Sequence, residues 1–359
     1  MGSLNSALER KSEIPDKNTG LEGQLPEIIP VDEETNEQLL KDHAGERTGW
    51  YLVGPEKYCF PSRYALEAPS FLNTKTRPDD VWICTFPRSG TTLMQELIWM
   101  VVNDCDYEGG KRGLWERSPF FEVCLFFHPE TQEKFIRENA GNPGNQDYIR
   151  GMATPAYEYL DESESPRIIK THFPPSLLPF DLETNQSKVI YVARNPKDVV
   201  ISYYHLLKLW RTSDYVNTFE QFATQFMDGL VPWAPFWSHV QEGWERKDQD
   251  NYLFLFYEDI VKDMKGTIEK VAEFLNKTMD ESDVDILVEH MHISNFKNNP
   301  AVNFEDHRDI GILSKTDQSF IRQGNKRGLS SDFTVELKEK MDEWIAEHYK
   351  NTDLRFPDL

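Results

Sequence analysis

Two polar stretches that follow apolar runs carry the side chains best suited to chemistry. Residues 81–86 are apolar, and the loop after them contains one cation, one glycine and three hydroxyls, in the order Arg88, Ser89, Gly90, Thr91 and Thr92. Gly90 can adopt a positive φ, so this loop can direct several amide N–H groups to one point above the helix that follows. The helix dipole and the Arg88 charge favour an anion there. The stretch predicts a P-loop-like phosphate site, but the lysine of the Walker pattern is absent after Gly90, which disfavours an ordinary nucleotide triphosphatase.

The second stretch, residues 167–172 (RIIKTH), ends on a histidine beside a proline turn. An alcohol or phenol becomes a good nucleophile when a base removes its proton, and histidine is a suitable base at neutral pH within about 2.6 to 3.2 Å. His172 is therefore a candidate base, with Lys170 two residues before it. The alternative is a hydrogen-bonded structural histidine.

Further cations follow other apolar runs. The chain carries 39 Lys and Arg against 61 Asp and Glu, a net charge of −22. This charge disfavours nucleic-acid and anionic-membrane surfaces, so a phosphate site needs cations gathered locally. The remaining candidates for such a site are Arg194, Ser202, Tyr257, Arg322 and Gly324.

The elements that must position these residues alternate between strands and helices. Apolar runs predict strands over residues 81–86, 167–172, 188–194 and 252–257. Helices are predicted between these strands, and one of them begins at Asn195, with Pro196 at its first position. The pattern predicts an α/β fold, a single domain with a central parallel sheet flanked by helices, and ligands bind such sheets at the carboxyl ends of the strands.

Residues 1–30 are polar and lack apolar periodicity, which predicts a disordered extension before a folded domain at 31–359. Residues 109–166 interrupt the alternation and are rich in aromatic side chains. They predict a helical insertion, which is either a unit with its own small core or a lid over an apolar substrate.

The four cysteines, Cys59, Cys84, Cys105 and Cys124, form no CxxC pair, which fits reduced thiols and a cytoplasmic protein. No segment has the apolar length of a membrane span, so no membrane association is predicted. His290 and His292 alone do not make a zinc site, and no metal is predicted.

Four motifs, in order, resemble those of the cytosolic sulfotransferases. They are TFPRSGTT at 85–92, KTHFP at 170–174, VARNPKDVVISYYH at 192–205, and FIRQG at 320–324 followed by FTV at 333–335. The matches span most of residues 45–350, and this order makes coincidence implausible. The longer 109–166 section, Arg88, FKNNPAVNFED at 296–306 and DLRFPDL at 353–359 resemble insect members of the retinol dehydratase type in particular.

The resemblance implies 3′-phosphoadenosine 5′-phosphosulfate (PAPS) as sulfuryl donor, its product PAP, and a small apolar hydroxyl acceptor such as a phenol, a steroid or terpenoid alcohol, or a xenobiotic. It implies that the loop at 88–92 holds the 5′-phosphosulfate and that Arg194 and Ser202 hold the 3′-phosphate. Arg322, Gln323 and Gly324 would help to hold the 3′-phosphate. It places Tyr257 near the adenine. His172 becomes the catalytic base, with Lys170 and Arg88 beside the sulfuryl group or the leaving phosphate.

Some positions depart from the family pattern. Arg88 replaces the usual Lys, and Leu93 replaces the Trp that stacks on adenine. The family's dimer segment survives only as Ser330, Thr334, Val335 and Glu339, so a homodimer has little support in the sequence. Retinol dehydratase-like elimination with the same nucleotide and a non-catalytic nucleotide-binding protein are the alternative functions. Sulfuryl transfer is preferred because it is the commoner activity.

Overall fold

The computed structural model describes residues 23–316, 318–321 and 333–358. Within these residues, seven strands form two sheets. The strands are β1 (Ile28–Pro30), β2 (Trp50–Val53), β3 (Tyr58–Pro61), β4 (Val81–Thr85), β5 (Ile168–Thr171), β6 (Lys188–Ala193) and β7 (Tyr252–Phe256). A small antiparallel sheet has the order β1-β2-β3, and the central parallel sheet has the order β5-β4-β6-β7. The predicted α/β class is confirmed.

Helices cover both faces of the parallel sheet. The α-helices are α1 (Glu33–Asp42), α2 (Arg63–Leu72), α3 (Thr91–Val102), α4 (Leu114–Arg117), α5 (Pro129–Glu138), α6 (Pro143–Ala153), α7 (Pro196–Leu209), α8 (Phe219–Met227), α9 (Phe236–Glu245), α10 (Tyr257–Lys262), α11 (Met264–Phe274), α12 (Glu281–Met291), α13 (Ile293–Phe296), α14 (Glu305–Ile310) and α15 (Val335–His348). Successive β4 residues face opposite layers, because side chains alternate along a strand. Val81 and Ile83 join the core that contains α3, whereas Trp82 and Cys84 join the core on the other face.

A buried ion pair lies where β4 and β5 begin. Arg167 Nε donates to Asp80 Oδ1 at 2.7 Å, and the side chains are 1% and 0% exposed. Removing one partner of such a pair typically costs about 3 to 5 kcal/mol. The parallel register pairs Val81 with Ile168 and Cys84 with Thr171, so the pair stands at the start of a ladder whose other end carries the candidate site.

Helix α7 begins as predicted. The Asn195 side chain accepts a hydrogen bond from the Lys197 amide at 3.0 Å, and Pro196 occupies the first helical position. This start fixes the direction in which the chain leaves β6, because the cap satisfies an amide that the helix itself leaves unpaired.

The section at 109–166 is helical and contributes to a small core, and its role as a lid stays a prediction. A small core joins Val123, Phe127, Phe135 and Ile149 to Ile310 from outside the section. Other side chains of the same section face the main cavity, as described below.

The predicted boundary at residue 31 is wrong in one respect. Residues Ile28–Pro30 form β1 and pair with β2, with Ile28 opposite Val53, so the folded part begins before residue 31. Three residues are too few to show a periodic pattern, and only the pairing with β2 reveals the strand. Residues 1–22 lie outside the described part of the chain.

In the described part of the chain, every helix is too short or too polar to cross a bilayer.

Candidate functional site

A cavity of about 1050 Å³ opens at the carboxyl edge of the parallel sheet. It brings together most of the predicted site residues, namely Arg88, Gly90, Thr91, Thr92, Lys170, His172, Arg194, Ser202 and Tyr257. Ser89 is fully buried and is not part of the lining. The predicted residues 322–324 lie outside the described part of the chain. Ligand pockets are commonly about 300 to 1000 Å³, so this cavity is at the upper end of that range.

The loop between β4 and α3 has the backbone that an anion site requires. Arg88 has φ 69° and Gly90 has φ 105°, and both lie in the left-handed region. The sequence predicted this conformation only for Gly90. A non-glycine residue there carries strain, which is typical of functional loops. Gly90 caps α3 without a side-chain hydrogen bond, so the positive end of the helix faces the cavity without a protein carboxylate.

The two arginines near this loop are held in place by hydrogen bonds to other residues of the site. Arg88 Nε donates to Ser202 Oγ at 2.9 Å, and Arg194 Nη1 donates to the Arg88 carbonyl at 3.2 Å. The Arg194 guanidinium also lies over the Tyr257 ring, 4.3 Å from its centroid. These contacts orient two positive groups toward one space.

Two buried polar atoms at the loop have no hydrogen-bond partner within the described residues. They are Ser89 Oγ and Arg194 Nε. An unpaired buried donor is costly, and such atoms in native structures call for an explanation. A phosphate bound at the loop would supply acceptors for donors of this kind.

The Thr91 hydroxyl lies between the cavity and a buried hydroxyl of β4. Thr91 Oγ1 is 2.7 Å from Thr85 Oγ1, and Thr85 Oγ1 is 3.1 Å from His172 Nδ1. Because Nδ1 of His172 carries the proton, the Thr85 hydroxyl donates to Thr91 Oγ1, and the Thr91 hydroxyl can still donate to an anion. The arrangement also connects the phosphate loop to the candidate base.

His172 is held in one tautomer. Its Nδ1 lies 2.8 Å from the Thr85 carbonyl oxygen, which can only accept, so Nδ1 carries the proton. Nε2 then has a lone pair and can accept a proton. Burial, with the Lys170 charge as the next cause, holds the pKa of His172 well below the ordinary 6.5, so the ring is neutral at physiological pH.

Lys170 lies in β5, two residues before His172, and both residues line the cavity. Its Nζ lies 3.9 Å from the centroid of the Phe120 ring. Burial lowers the pKa of Lys170 to about 8, an effect that the Glu122 carboxylate opposes and the Arg88 charge reinforces. Lys170 is thus a cation near neutral pH that loses its charge at modestly alkaline pH.

Glu122 is a buried carboxyl group that the sequence interpretation did not single out. Its oxygens accept from the His172 amide at 2.7 Å, from Thr171 Oγ1 at 2.9 Å and from Trp233 Nε1 at 3.1 Å. Burial raises its pKa to about 7 against these hydrogen bonds. Trp233 in turn packs edge-on against His172 at 5.2 Å between ring centroids. The carboxyl therefore positions the histidine and one wall of the cavity together.

One feature of the sequence could have indicated Glu122, because it is the single acid in the apolar run from residue 119 to 127. A charged residue in such a run is either exposed or paired within the core. Its partners at 171, 172 and 233 are distant in sequence, so the pattern of the chain did not identify them.

An apolar wall faces these polar groups. Its aromatic members are Trp115, Phe120, Phe126, Phe127, Tyr148, Tyr159, Trp210 and Trp233. Most belong to the section at 109–166, and the arrangement suits a flat or elongated apolar molecule beside His172.

Residues 78–353 match the family model for the sulfotransferase domain. Human (Homo sapiens) sulfotransferase 1E1 is 34% identical over 283 residues, which cover 79% of this chain and 87% of the relative. Two crystal structures of retinol dehydratase are similar along nearly the whole chain. One, with androsterone and PAP, has a TM-score of 0.83 at 33% identity and covers 93% of this chain and 99% of that chain. The other, with retinol and PAP, has a TM-score of 0.82 at 33% identity and covers 92% and 99%.

The first prediction concerns the phosphate loop. A Cβ at position 90 would lie 2.7 Å from Tyr257 Cδ2 on a backbone with φ 105°. We expect Gly90→Ala to weaken PAP affinity by about 10-fold or more, since strain of about 1 to 3 kcal/mol falls on the binding loop. Isothermal titration calorimetry with PAP measures this.

The matched control for that prediction is Gly141→Ala. Gly141 has φ 119° and open space around its Cβ position, so it carries the same backbone penalty away from the cavity. Equal affinity losses in the two variants would contradict a specific role for Gly90.

The second prediction concerns Glu122. A glutamine there offers one carbonyl oxygen to three donors, so Glu122→Gln should lower kcat by about 10-fold or more through misplacement of His172. PAP affinity should change little, because Glu122 does not contact the phosphate loop. Stopped-time product assays and calorimetry separate the two effects.

Glu242→Gln is the control for Glu122. Glu242 is a half-buried carboxyl that accepts from Tyr58 Oη at 2.7 Å and from the Ser176 amide at 2.7 Å, and it lies outside the cavity lining. Its replacement should cost stability without lowering kcat in the folded protein. A similar fall in kcat for both variants would reduce Glu122 to a general packing residue.

Proposed function

The chain belongs to the sulfotransferase family and is a PAPS-dependent enzyme that sulfates small hydroxyl acceptors, and within this activity we propose that His172 is the general base. The observation that carries this proposal is the hydrogen bond from His172 Nδ1 to the Thr85 carbonyl. It leaves Nε2 as the proton acceptor, and the depressed pKa of His172 keeps that atom unprotonated at neutral pH.

The loop residues and the cations divide the nucleotide between them. We assign the 5′-phosphosulfate to the loop at 88–92 and the start of α3, and the 3′-phosphate to Arg194 and Ser202. Tyr257, beneath the Arg194 guanidinium, is assigned to the adenine side. The unpaired Nε of Arg194, a residue of the cavity lining, supports a phosphorylated ligand here. Residues 322–324 keep their predicted role in holding the 3′-phosphate.

The chemistry follows from these positions. When bound, PAPS supplies the sulfuryl group, and PAP is the leaving product. His172 Nε2 takes the proton of the acceptor hydroxyl, which makes the oxygen nucleophilic. We assign Lys170 and Arg88, which both line the cavity, to neutralise the leaving phosphate. The aromatic wall holds the acceptor and excludes water from the reacting oxygen.

Elimination of water from an allylic alcohol is a second candidate reaction, favoured by the similarity to retinol dehydratase over most of the chain. It would use the same nucleotide and the same base. A non-catalytic nucleotide-binding role is less well supported, because His172 and Lys170 are both in place beside the phosphate loop.

We retain two finer assignments as proposals. The four cysteines are unpaired, which supports a cytoplasmic location. Val335, from the family's dimer segment, is 71% exposed, which would allow contact with a second copy through α15. Thr334 instead caps that helix, with its Oγ1 accepting from the Leu337 amide.

The third prediction tests transfer and the base together. Incubation with PAPS and separate phenol, steroid and retinol acceptors should give sulfated products that mass spectrometry identifies. His172→Ala should reduce turnover by about 10² to 10⁴-fold, the usual contribution of acid–base catalysis. PAP should stabilise both proteins against heat to a similar extent. A near-normal rate in the variant would remove His172 from the base role, and loss of water from retinol without a stable sulfate ester would favour elimination.

The fourth prediction is the pH profile of kcat/KM for PAPS, which reports groups of the free enzyme. His172 acts unprotonated and its pKa is depressed, so activity should be lost only well below pH 6.5. Lys170 acts as a cation with a pKa of about 8, so activity should fall as the pH rises through this value. Lys170→Arg should move the alkaline fall to higher pH, because arginine stays charged. An unchanged alkaline limb in Lys170→Arg would contradict the Lys170 assignment. Because burial raises the pKa of Glu122 to about 7, an acid limb near pH 6.5 would contradict the His172 assignment only if it persists in Glu122→Gln.

A further inference from the structure

The cavity has a second polar cluster that neither the nucleotide nor the base uses. It consists of Tyr148, His307 and Asp306, and all three line the same cavity as His172. His307 is 1% exposed, whereas the Asp306 side chain is 53% exposed. A buried histidine held between a tyrosine and a carboxylate is an organised hydrogen-bond chain rather than a solvated surface group.

The geometry fixes the direction of this chain of hydrogen bonds. His307 Nδ1 lies 2.8 Å from Asp306 Oδ1, and His307 Nε2 lies 2.6 Å from Tyr148 Oη. Although burial alone would raise the pKa of Asp306, the His307 hydrogen bond keeps it below the ordinary 3.8, so the carboxylate is ionised and only accepts. Nδ1 therefore donates, and in the neutral ring Nε2 accepts from the Tyr148 hydroxyl. The Tyr148 oxygen keeps its lone pairs for another donor, and donation along the chain strengthens it as an acceptor.

Apolar walls connect this cluster to the reaction centre. Phe120 packs edge-on against His172 at 5.1 Å, and both Phe120 and Tyr148 pack against one hydrophobic cluster. Trp115 lies edge-on to Tyr148 at 4.5 Å between centroids, so the tyrosine ring belongs to the aromatic wall.

A second wall runs from the phosphate loop to His307. Arg88 lies over the Phe320 ring at 4.9 Å, Phe320 contacts Phe304 at 4.6 Å, and Phe304 contacts His307 at 5.0 Å. Two polar groups thus face one apolar chamber from different positions, an arrangement that matches an elongated molecule with a polar group at each end.

The charge near Tyr148 restricts what that second group can be. Asp306 and Asp309 both line this part of the cavity, while Asp147 is paired with Arg150 at 2.7 Å. Carboxylates repel anions and favour hydrogen-bond donors. A carboxylate or sulfate on the ligand is therefore disfavoured here, and a hydroxyl or amine is favoured.

We propose that Tyr148, oriented by His307 and Asp306, accepts a hydrogen bond from a hydroxyl or amine at the far end of an elongated apolar acceptor whose reactive hydroxyl lies at His172. The proposal rests on the proposed function and narrows its substrate class to acceptors with two separated polar groups, such as rigid polycyclic diols. Tyr148 is a specificity-determining contact, and His307 and Asp306 are positioning residues.

The experiment measures equilibrium binding with PAP present, so it does not depend on turnover. The ligands are a rigid steroid-like diol, the mono-alcohol that lacks its far hydroxyl, the far methyl ether and the far carboxylate. The quenching of tryptophan fluorescence, with Trp115, Trp210 and Trp233 in the cavity wall, reports binding. In the unsubstituted protein, the diol should bind about 5- to 10-fold more tightly than the mono-alcohol or the ether, and the carboxylate should bind least tightly.

Tyr148→Phe should reduce that preference for the diol over the mono-alcohol by about 5- to 10-fold. Tyr157→Phe is the matched control, because Tyr157 also donates its hydroxyl to a protein group, Glu67, but lies outside the cavity lining. An unchanged preference in Tyr148→Phe, or the same loss in Tyr157→Phe, would overturn the proposal. If Tyr148→Phe does not fold, the comparison of diol with methyl ether in the unsubstituted protein decides, and equal affinities contradict the proposal.

A parallel product assay separates this proposal from the proposed function. Preferential diol binding without any sulfated product would contradict transfer and leave the Tyr148 contact standing. Sulfation of every hydroxyl acceptor without preference in binding would support transfer and contradict the Tyr148 contact. Failure of the diol to bind at all would contradict the contact as well.

Discussion

The hydrogen bond between His172 Nδ1 and the Thr85 carbonyl is the interaction on which the site depends. Thr85 ends β4 just before the phosphate loop, and His172 directly follows β5. The bond therefore joins the base to the loop across two neighbouring parallel strands. It also fixes the tautomer of the histidine, because a carbonyl oxygen can only accept. This contact therefore depends on the strand register, determines which nitrogen of the base carries the proton, and keeps the base near the anion site.

That contact is maintained from both ends of the ladder. The Arg167–Asp80 pair stands where the strands begin, and Glu122 holds the His172 amide where they end. Both are buried polar arrangements whose formation requires correct packing around them, since an unpaired charge in the core is costly. These buried polar groups therefore both stabilise the sheet and hold the residues of the site in position.

An acidic protein can hold a phosphorylated ligand because its cations are gathered and partly desolvated at one edge. Arg88 donates to Ser202, and Arg194 donates to the Arg88 carbonyl and lies over the Tyr257 ring. These contacts orient both guanidinium groups before a ligand binds. The net charge of −22 acts over longer distances and is screened by salt. Burial also lowers the pKa of Lys170 and of His172. Near pH 7, Lys170 is therefore still a cation and His172 is a neutral base.

The α/β class, the strand before the phosphate loop and the capped start of α7 could be predicted from the sequence, because they depend on local periodicity and on capping chemistry. Most of the residues at the cavity could also be predicted, because they belong to motifs that are recognised along the chain. Contacts in the folded chain, by contrast, reveal that the Arg88 backbone has a positive φ and that the Thr91 and Thr85 hydroxyls are hydrogen-bonded. They also reveal that Glu122 accepts a hydrogen bond from the His172 amide. They further reveal that Tyr148 and His307, 159 positions apart, form one hydrogen-bonded chain. Each of these depends on contacts between segments distant in sequence, which the pattern of a single chain does not encode locally.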